Sequence, residues 1–491
     1  MSDVNTPKLP SLADALIPIL VLILLLFASV MLFGDNSSYG PNQIALMVCA
    51  GIAIIIGIKN GHKWEAMEQA IVNGISLSLG AILILLVVGS LIGTWLLSGT
   101  VPTLIYYGLK MLSPELFLAA SMVLCSVVSV SLGTSWGTVG TVGLALMGIG
   151  AGFDIPMYWT AGAVVSGAFF GDKISPLSDT TNLAPAVTGT NIFDHIRNML
   201  PTTIPAMLIA LVIYLVVGFM LIDNNQVSFD KITAITGALE EHFYISPVLL
   251  IPAILVIILA MKKVAPIPAL FFGSIVGAGL AMAAQGAGLH DVFTYANSGY
   301  KISTGISEID SLLNRGGIQS MMWTISLILI ALAFGGALER TGCLQSIILA
   351  IRSKVKTFAG LQTSAIGTSF ATNVVAGDPY LSIALPGRMY APAYRGMGYS
   401  TLNLSRATEE GGTLLSPLIP WNAGGAFVIA ALGLSVGDGD ITNLLYIPLA
   451  FACWLSPVIG IFYAHTGLFS PKADEAEQQS WVDNDEEIAK V

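Results

Sequence analysis

The chain has 491 residues, of which 55% are hydrophobic and only 10% are charged, and its formal net charge is −10. Soluble domains carry about 25% charged residues, so this composition excludes a soluble globular domain. Apolar runs of about 20 residues, long enough to cross a bilayer, recur along the chain, whereas a transmembrane β-barrel would show short alternating segments. The sequence therefore predicts an all-α polytopic membrane protein.

Ten crossings are predicted after a short N-terminal segment, residues 1–12. Two further apolar stretches, 115–152 and 357–397, have small, polar, glycine-rich centres and are long enough to enter the membrane and return. Because non-helical backbone at membrane depth persists only where protein or water surrounds it, we predict two re-entrant hairpins at a functional site. The predicted crossings are 13–33, 41–58, 75–98, 157–190, 202–222, 246–262, 264–284, 318–340, 401–433 and 442–465.

The distribution of basic residues predicts the orientation. Of the 20 Lys and Arg residues, 14 lie in loops and termini on the same side of the membrane as the N-terminus, and 4 lie in loops on the opposite side. Since cytoplasmic loops are enriched in Lys and Arg, both termini are predicted to be cytoplasmic. Residues 223–245 then form an external linker, and residues 466–491 form an acidic cytoplasmic tail.

Short sequence matches relate the two halves of the chain. Each half has five crossings and one hairpin, and because five is odd, the second half enters from the opposite face. The sequence thus predicts two inverted-topology repeats, 13–222 and 246–465, an arrangement typical of secondary transporters with a site between the repeats. The matches are LIPIL (16–20) with LIPAI (250–254), LGTSW (132–136) with IGTSF (366–370), and GDKISPLSDTTN (171–182) with GGTLLSPLIPWN (411–422).

Crossing 157–190 contains a cluster of polar residues near its middle. Gly171 and Pro176 disfavour a continuous helix, and a break frees backbone carbonyls and exposes the partial charges of helix ends. An oxygen-rich, partly anionic cavity suits Na⁺, and the sequence has no His/Cys cluster for a softer metal. The cation-binding candidates here are Ser175, Ser178, Thr180, Thr181 and Asn182, with carboxylates from Asp172 and Asp179.

The hairpin centres add further oxygens. In the first hairpin, Thr134 and Ser135 follow Gly133, and they are predicted to line the site, with close helix packing as the alternative. The predicted counterparts in the second half are a Gly-Thr-Ser segment and polar residues around the broken crossing 401–433. They are Thr368, Ser369, Asn373, Ser416 and Asn422. Aligning the shared Ser-Pro-Leu segments puts Pro420 opposite Asp179, so a weaker second site is expected.

A buried carboxyl group can couple two ion fluxes. Burial favours the protonated form, whereas a bound cation favours the charged form. One aspartate can therefore hold a proton or face Na⁺ in turn, and Asp179 and Asp172 are the leading candidates.

The other charged residues near these segments have two interpretations each. Lys173 either neutralises Asp172 or takes part in transport. Arg406 has the spacing for helical ion pairs with Glu409 and Glu410, so it either forms a structural clamp with them or takes part in transport. Asp378, which precedes Pro379, either caps a helix or lines the site. The five histidines are expected mostly at loops and membrane edges.

Three segments resemble the NhaC family of bacterial Na⁺/H⁺ antiporters. They are FFGDKISPLSDTTNLAP (169–185), LGTSWGT (132–138) and EEGGTLLSPLIPWN (409–422). The resemblance covers about residues 11 to 467, and it implies a bacterial inner membrane, an ion-transporter fold with paired hairpins, and Na⁺ export driven by proton entry. Relatives of this architecture often form homodimers.

The resemblance leaves the cargo open, because members of the family also exchange carboxylates such as malate against lactate. The main hypothesis is a Na⁺/H⁺ antiporter that works by alternating access. The alternatives are an exchanger of organic anions or amino acids coupled to Na⁺ or H⁺, and an ion channel. Neither enzymatic activity, nor a cofactor, nor a nucleic-acid partner is expected, and Na⁺ and H⁺ are transported ions.

Overall fold

The computed structural model describes residues 7–33, 40–77, 79–224, 229–262, 264–305, 310, 313–434, 442–479 and 481. Within these residues the regular structure is helical, apart from one β-bridge between Tyr399 and Lys472. The α-helices are, in chain order, Leu12–Phe33, Pro41–Lys59, Trp64–Leu77, Leu79–Leu97, Thr100–Met111, Phe117–Leu132, Ser135–Thr138, Leu144–Gly152, Met157–Ile174, Asp179–Thr188, Ile192–Asn224, Phe229–His242, Ile251–Met261, Pro266–Ala284, Leu289–Ser298, Ile318–Arg340, Cys343–Arg352, Phe358–Ala376, Pro379–Gly396, Leu402–Gly412, Ala423–Leu432, Tyr446–Leu449 and Phe451–Thr466.

The helix lengths agree with the predicted number of crossings. Among the described residues, eight helices are long and apolar enough to cross a bilayer, or ten when each of two bent pairs counts as one span. One pair joins Ile82–Leu97 to Thr100–Met111 at 70°, and the other joins Ile232–His242 to Pro247–Leu259 at 92°. The all-α polytopic membrane fold is therefore confirmed. The second pair places a helix in the segment predicted as an external linker.

The outer surface of the helix Ile192–Asn224 is suited to lipid. Leu208, Val212, Val216 and Phe219 recur every three to four residues and are each more than half exposed. This spacing puts them on one face of the helix. Exposure of such an apolar stripe to water would be unfavourable and would promote aggregation, whereas lipid tails can cover it.

The first hairpin is a helix–turn–helix unit whose turn lies at the predicted place. The helix Phe117–Leu132 ends at Gly133, which adopts φ 66°, a conformation that glycine reaches without a steric penalty. Thr134 then caps the next helix by accepting a hydrogen bond from the Gly137 amide at 3.4 Å. That helix continues to Gly152 through a π-helical segment, Val139–Gly143. We call residues 133–134 the first turn.

The second hairpin turns at a different residue from the one predicted. Gly367, Thr368 and Ser369 lie inside the continuous helix Phe358–Ala376, so their assignment to the hairpin tip was wrong. The turn lies at Gly377, with φ 67°, and Asp378, whose Oδ1 accepts a hydrogen bond from the Leu381 amide at 2.8 Å. In this Gly-Asp-Pro segment, Gly377 ends one helix, Asp378 caps the next, and Pro379 begins it, a position at which Pro is preferred. We call residues 377–378 the second turn.

Both broken crossings are interrupted as predicted. In the first half, the helix Met157–Ile174 ends and Asp179–Thr188 begins after residues 175–178, the first break. In the second half, the interruption between Leu402–Gly412 and Ala423–Leu432 covers residues 413–422, the second break. Each restarted helix is capped by a side chain, since Ser178 accepts from the Thr181 amide and Asn422 from the Gly424 amide.

A matching pair of close approaches supports the internal repeat. A Cβ atom on Gly171 would lie 2.6 Å from Ser129 Cβ, and one on Gly411 would lie 2.7 Å from Ser369 Cβ. In both halves, a glycine thus lets the broken helix pack closely on the first arm of the hairpin. The two contacts are related by 240 residues, the offset of the match between 171–182 and 411–422, rather than by the 234 residues of the other two matches. The second hairpin arm runs four residues further, about one helical turn, before its turn.

Candidate ion-binding site

The first turn, both breaks and the helix that follows the second turn contribute to one cavity of about 50 Å³. Residues from each of these four segments face it, so parts distant in sequence are brought together there. The cavity is lined by Ile84, Gly133, Thr134, Ser135, Trp136, Phe169, Asp172, Ser178, Asp179, Thr180, Pro379, Tyr380, Thr413 and Ser416.

Asp172 is the buried carboxylate of the cavity. It lies on the last turn of the helix Met157–Ile174 and is only 8% exposed. The Ser135 hydroxyl, just after the first turn, donates a hydrogen bond to Asp172 Oδ2 at 2.7 Å. A hydroxyl group can donate to a carboxylate or accept from a carboxylic acid. The contact can therefore be kept in both protonation states of Asp172.

Asp179 lines the same cavity but is exposed. It is the first residue of the helix after the first break, where the positive end of the helix dipole stabilises a carboxylate. Beside it, the Ser178 and Thr180 hydroxyl oxygens lie 3.2 Å apart. The first break thus presents two carboxylates and two neutral oxygens to the cavity.

The other three candidates of the first break hold its backbone instead of lining the cavity. Ser175 donates to the Val130 carbonyl at 2.8 Å. Thr181 donates to the carbonyl oxygens of Asp172 and Lys173 at 3.0 and 3.1 Å, which a continuing helix would have satisfied. Asn182 donates to the carbonyls of Pro176 and Ser178. These side chains fix the shape of the break.

In the second half, two asparagines join the hairpin to the second break. Asn373 donates to the carbonyls of Gly411 and Gly412, and Asn422 Nδ2 donates to Asn373 Oδ1 at 2.9 Å. Ser416 lines the cavity but donates its proton to Asn422 Oδ1 at 2.6 Å. The second break is therefore closed by neutral hydrogen bonds.

The Gly-Thr-Ser segment of the second half lies away from the cavity. The Thr368 and Tyr390 hydroxyl oxygens are 2.9 Å apart, and Ser369 packs on Gly411. Asp378 caps its helix from within the second turn.

The two buried basic side chains, Lys173 and Arg406, contact different groups from those that the sequence spacing predicted. Lys173 does not neutralise Asp172, because its Nζ donates to Ser456 at 2.8 Å and lies 3.8 Å from Glu410 Oε1. Arg406 donates to the carbonyls of Asn198 and Phe469 instead of forming a helical clamp with the glutamates. All of the side chains of Lys173, Arg406 and Glu410 are fully buried.

His195 is likewise fully buried, so the expectation of a surface position was wrong for this residue. Its Nδ1 lies 2.8 Å from the Ser405 hydroxyl oxygen.

Four cavity residues of chemical interest escaped the sequence reasoning. Tyr380 and Pro379 follow the Gly-Asp turn, which was assigned to the wrong place, and Thr413 opens the second break directly after Gly-Gly. Trp136 stacks on Phe427 with ring centroids 4.5 Å apart and so joins the first turn to the helix after the second break. Only the Gly-Asp-Pro signal could have indicated the first two.

A profile of the Na⁺/H⁺ antiporter family matches residues 12–181 and 167–468, which cover nearly the whole chain. The chain belongs to this family. The residues that line the cavity all lie within the matched residues. Its membership also places the protein in the membrane, as a multi-pass protein, in agreement with the helix lengths.

Three curated relatives illustrate the range within similar sequences. The chain is 41% identical to the Na⁺/H⁺ antiporter NhaC of Alkalihalophilus pseudofirmus, over 87% of this chain and 90% of that protein. It is 38% identical to the malate-2H⁺/Na⁺-lactate antiporter of Bacillus subtilis, over 96% of this chain and 97% of that protein. It is 34% identical to the arginine/ornithine antiporter ArcD of Halobacterium salinarum, over 97% of each. All three are named as antiporters, and none is named as an enzyme.

Proposed function

We propose that this protein exchanges Na⁺ for H⁺ across the membrane by alternating access, with Asp172 holding the proton and facing Na⁺ in turn. The observation that carries the proposal is the buried Asp172 carboxylate in a cavity formed by the first turn, both breaks and the helix after the second turn. A buried carboxylate is unfavourable unless it is protonated or paired with a cation. Occupation by one ion then excludes the other, which couples the two fluxes.

The neighbouring groups suit a hard cation. Thr134, Ser178 and Thr180 add neutral oxygens to the cavity wall, and Asp179 adds a second, exposed carboxylate. Alkali cations prefer such oxygen ligands to nitrogen or sulfur. In the described residues, no group of three or more His, Cys, Asp or Glu side chains is placed to hold a metal ion, so Na⁺ would be bound largely by neutral oxygens.

The location and assembly form part of the same proposal. The family resemblance implies a bacterial inner membrane, and the excess of Lys and Arg on the side of the N-terminus supports a cytoplasmic location of both termini. A homodimer is implied by the family resemblance. Cysteine labelling at the two ends of the chain would test the orientation, and light scattering of the purified protein would test the dimer.

Reconstituted vesicles provide the test of the exchange. With a pH-sensitive dye inside, addition of Na⁺ to the parent protein should move protons without any organic substrate. Asp172→Asn should abolish this movement, whereas Asp194→Asn, at an exposed ion pair with Arg197, should leave it unchanged. An Asp172→Asn protein with full exchange would exclude this residue from the mechanism.

An exchanger of organic anions is the second candidate, and the helix ends favour it. The N-terminal residues of three helices, Ser135, Asp179 and Pro379, line the cavity, and helix N-termini attract anions. Against it, Asp172 and Asp179 already occupy this positive field, and Lys173 is paired with Glu410. Malate, lactate, arginine and ornithine added to the same vesicles distinguish the candidates. Proton movement that requires one of them would replace the Na⁺/H⁺ proposal.

A further inference from the structure

A second buried carboxyl group lies directly behind the wall of the cavity. Glu409 is on the last turn of the helix Leu402–Gly412, which precedes the second break, and it is fully buried. Its carboxylate faces Thr180 and Thr413, both of which line the cavity. Glu409 therefore stands between the cavity and the interior of the protein.

The Glu409 carboxylate lacks the partners that a buried charge needs. Within the described part of the chain, neither Glu409 Oε1 nor Oε2 has a hydrogen-bond partner, and neither does the Thr413 hydroxyl oxygen. The Thr413 and Thr180 hydroxyls therefore face the Glu409 carboxylate without a well-formed hydrogen bond to it. An unpaired buried carboxylate is strongly unfavourable, so the group requires either a proton or a cation.

The charged groups around Glu409 are otherwise occupied. From the helix Met157–Ile174, Lys173 is paired with Glu410 and Asp172 accepts from Ser135. On its own helix, Arg406 donates to backbone carbonyls, and Glu410 points to Ser456. His195, from the helix Ile192–Asn224, contacts Ser405. Lys173 is close enough to attract the Glu409 carboxylate, but its ion pair is with Glu410, and within the described residues Glu409 forms no ion pair of its own.

We infer that Glu409, with the Thr180 and Thr413 hydroxyls, forms a second exchange site, which takes up a proton or Na⁺ in turn. The inference rests on the proposed Na⁺/H⁺ exchange and deepens it. In the exchange step, Na⁺ enters as the glutamic acid loses its proton, so that one cation replaces another and the net charge of the site is unchanged. Two carboxyl groups would then carry ions: Asp172, which lines the cavity, and Glu409, which lies next to the cavity residues Thr180 and Thr413.

Proton release on Na⁺ binding tests the inference directly. The purified full-length protein, in weakly buffered detergent solution with a pH dye, is mixed with NaCl or with choline chloride. We expect Na⁺ to release protons from the parent protein. Glu409→Gln and Asp172→Asn should each release fewer protons, and the double variant should release none. Gel filtration of each variant checks that it is folded.

The outcomes separate the two proposals. A parent protein that releases no protons on Na⁺ addition would overturn the Na⁺/H⁺ exchange itself. Release from Glu409→Gln equal to that of the parent would overturn only the second site. Complete loss of release in Glu409→Gln alone would leave a single site, which also overturns the two-site inference.

A matched pair of threonine variants addresses a merely structural role of Glu409. Thr413→Val removes a hydroxyl group from the second site with little change of shape, and it should raise the half-saturating Na⁺ concentration about tenfold, as expected for a lost polar contact. Thr408→Val is the control, because this buried hydroxyl on the same helix donates to the Ser405 carbonyl. Equal Na⁺ affinities of the two variants would contradict the inference.

Discussion

The two broken helices interrupt the backbone in similar ways but carry their charges in different places. At the first break, Asp172 and Asp179 both reach the cavity. At the second break, the irregular segment is neutral and is closed by Asn373 and Asn422, while Glu409 and Glu410 are buried on the preceding helix. The difference teaches that the interruption of a helix sets the geometry of the site, whereas the position of the carboxylates decides what each half can bind.

The largest effect is expected from breaking the buried ion pair that joins the two halves. Lys173 Nζ and Glu410 Oε1 lie 3.8 Å apart, and both side chains are fully buried. Glu410→Gln leaves the lysine charge uncompensated, which should destabilise the protein by about 3–5 kcal/mol. The measurement is the thermal unfolding of the detergent-solubilised protein, followed by its tryptophan fluorescence.

An exposed ion pair serves as the control for this prediction. Asp194 and Arg197 lie 3.7 Å apart on the surface, where an ion pair contributes at most about 1 kcal/mol. Asp194→Asn should therefore unfold close to the parent temperature. If Glu410→Gln and Asp194→Asn unfolded at the same temperature, the ion pair of Glu410 with Lys173 would not stabilise the fold.

A smaller effect is expected from the loss of the Ser135 hydroxyl, which donates to Asp172 just before the first break. Ser135 stabilises the charged form of Asp172, and hydrogen bonds to charged groups contribute about 1.5–3 kcal/mol. Ser135→Ala should therefore raise the Na⁺ concentration for half-maximal exchange in vesicles by about tenfold or more. Ser131→Ala is the control, since the Ser131 hydroxyl donates to the Val127 carbonyl within its own helix. Unchanged Na⁺ dependence in Ser135→Ala would mean that Asp172 binds without this donor.

Much of the fold could be predicted because membrane crossings depend on long apolar runs, and helix breaks depend on local signals. Pro176 marked the first break, and Gly133 with Thr134 marked the first turn. Gly171 was wrongly expected to interrupt the helix, since it lies within Met157–Ile174 and permits close packing instead. The second turn was misplaced, because a match of Gly-Thr-Ser in sequence outweighed the stronger helix signal at residues 377–379. Short matches between repeats do not fix the register when one helix is longer by about a turn.

The contacts of the site were harder to predict than its position. Sequence spacing indicated Arg406 as the partner of the glutamates, but Lys173, from the other half, pairs with Glu410. Such a contact depends on how two distant helices pack, and helical periodicity within one segment does not contain that information. For the same reason, Thr413 reaches the cavity from a segment without a sequence signal for a ligand, and Tyr380 reaches it beside the second turn, which was misplaced.

The close glycine contacts should show how alike the two halves are in packing. In both Gly171→Ala and Gly411→Ala, the added methyl group would meet backbone and Cβ atoms of the hairpin arm, which cannot move aside easily. We expect each variant to lose about 1–3 kcal/mol of stability, as overpacked sites do. Thermal unfolding provides the measurement. A loss in only one of the two variants would contradict equivalent packing in the two halves.

Gly51→Ala is the control for these substitutions. Gly51 also lies in a helix, but a Cβ atom there would meet nothing within 4 Å. The added methyl group should therefore raise helix propensity and keep or slightly increase the unfolding temperature. A similar loss in Gly51→Ala would mean that the effect at the other two sites does not report on the close approach.

The smallest effect is expected from the caps of the two turns. Thr134 and Asp378 each accept one amide hydrogen bond, at 3.4 and 2.8 Å respectively. Replacing a cap residue by alanine costs about 1 kcal/mol, and the shorter contact should make Asp378→Ala the more damaging change. Thermal unfolding of Thr134→Ala and Asp378→Ala measures both effects on one scale.

Asp378→Asn separates capping from charge at the second turn. Asparagine caps a helix about as well as aspartate, so this variant should unfold near the parent temperature and keep full exchange in vesicles. If it instead lost exchange to the extent expected for Asp172→Asn, the second turn would supply a third ion-carrying carboxylate. The conclusion that the second half presents only neutral groups near the cavity would then be wrong, because Asp378 would contribute a charged group from that half.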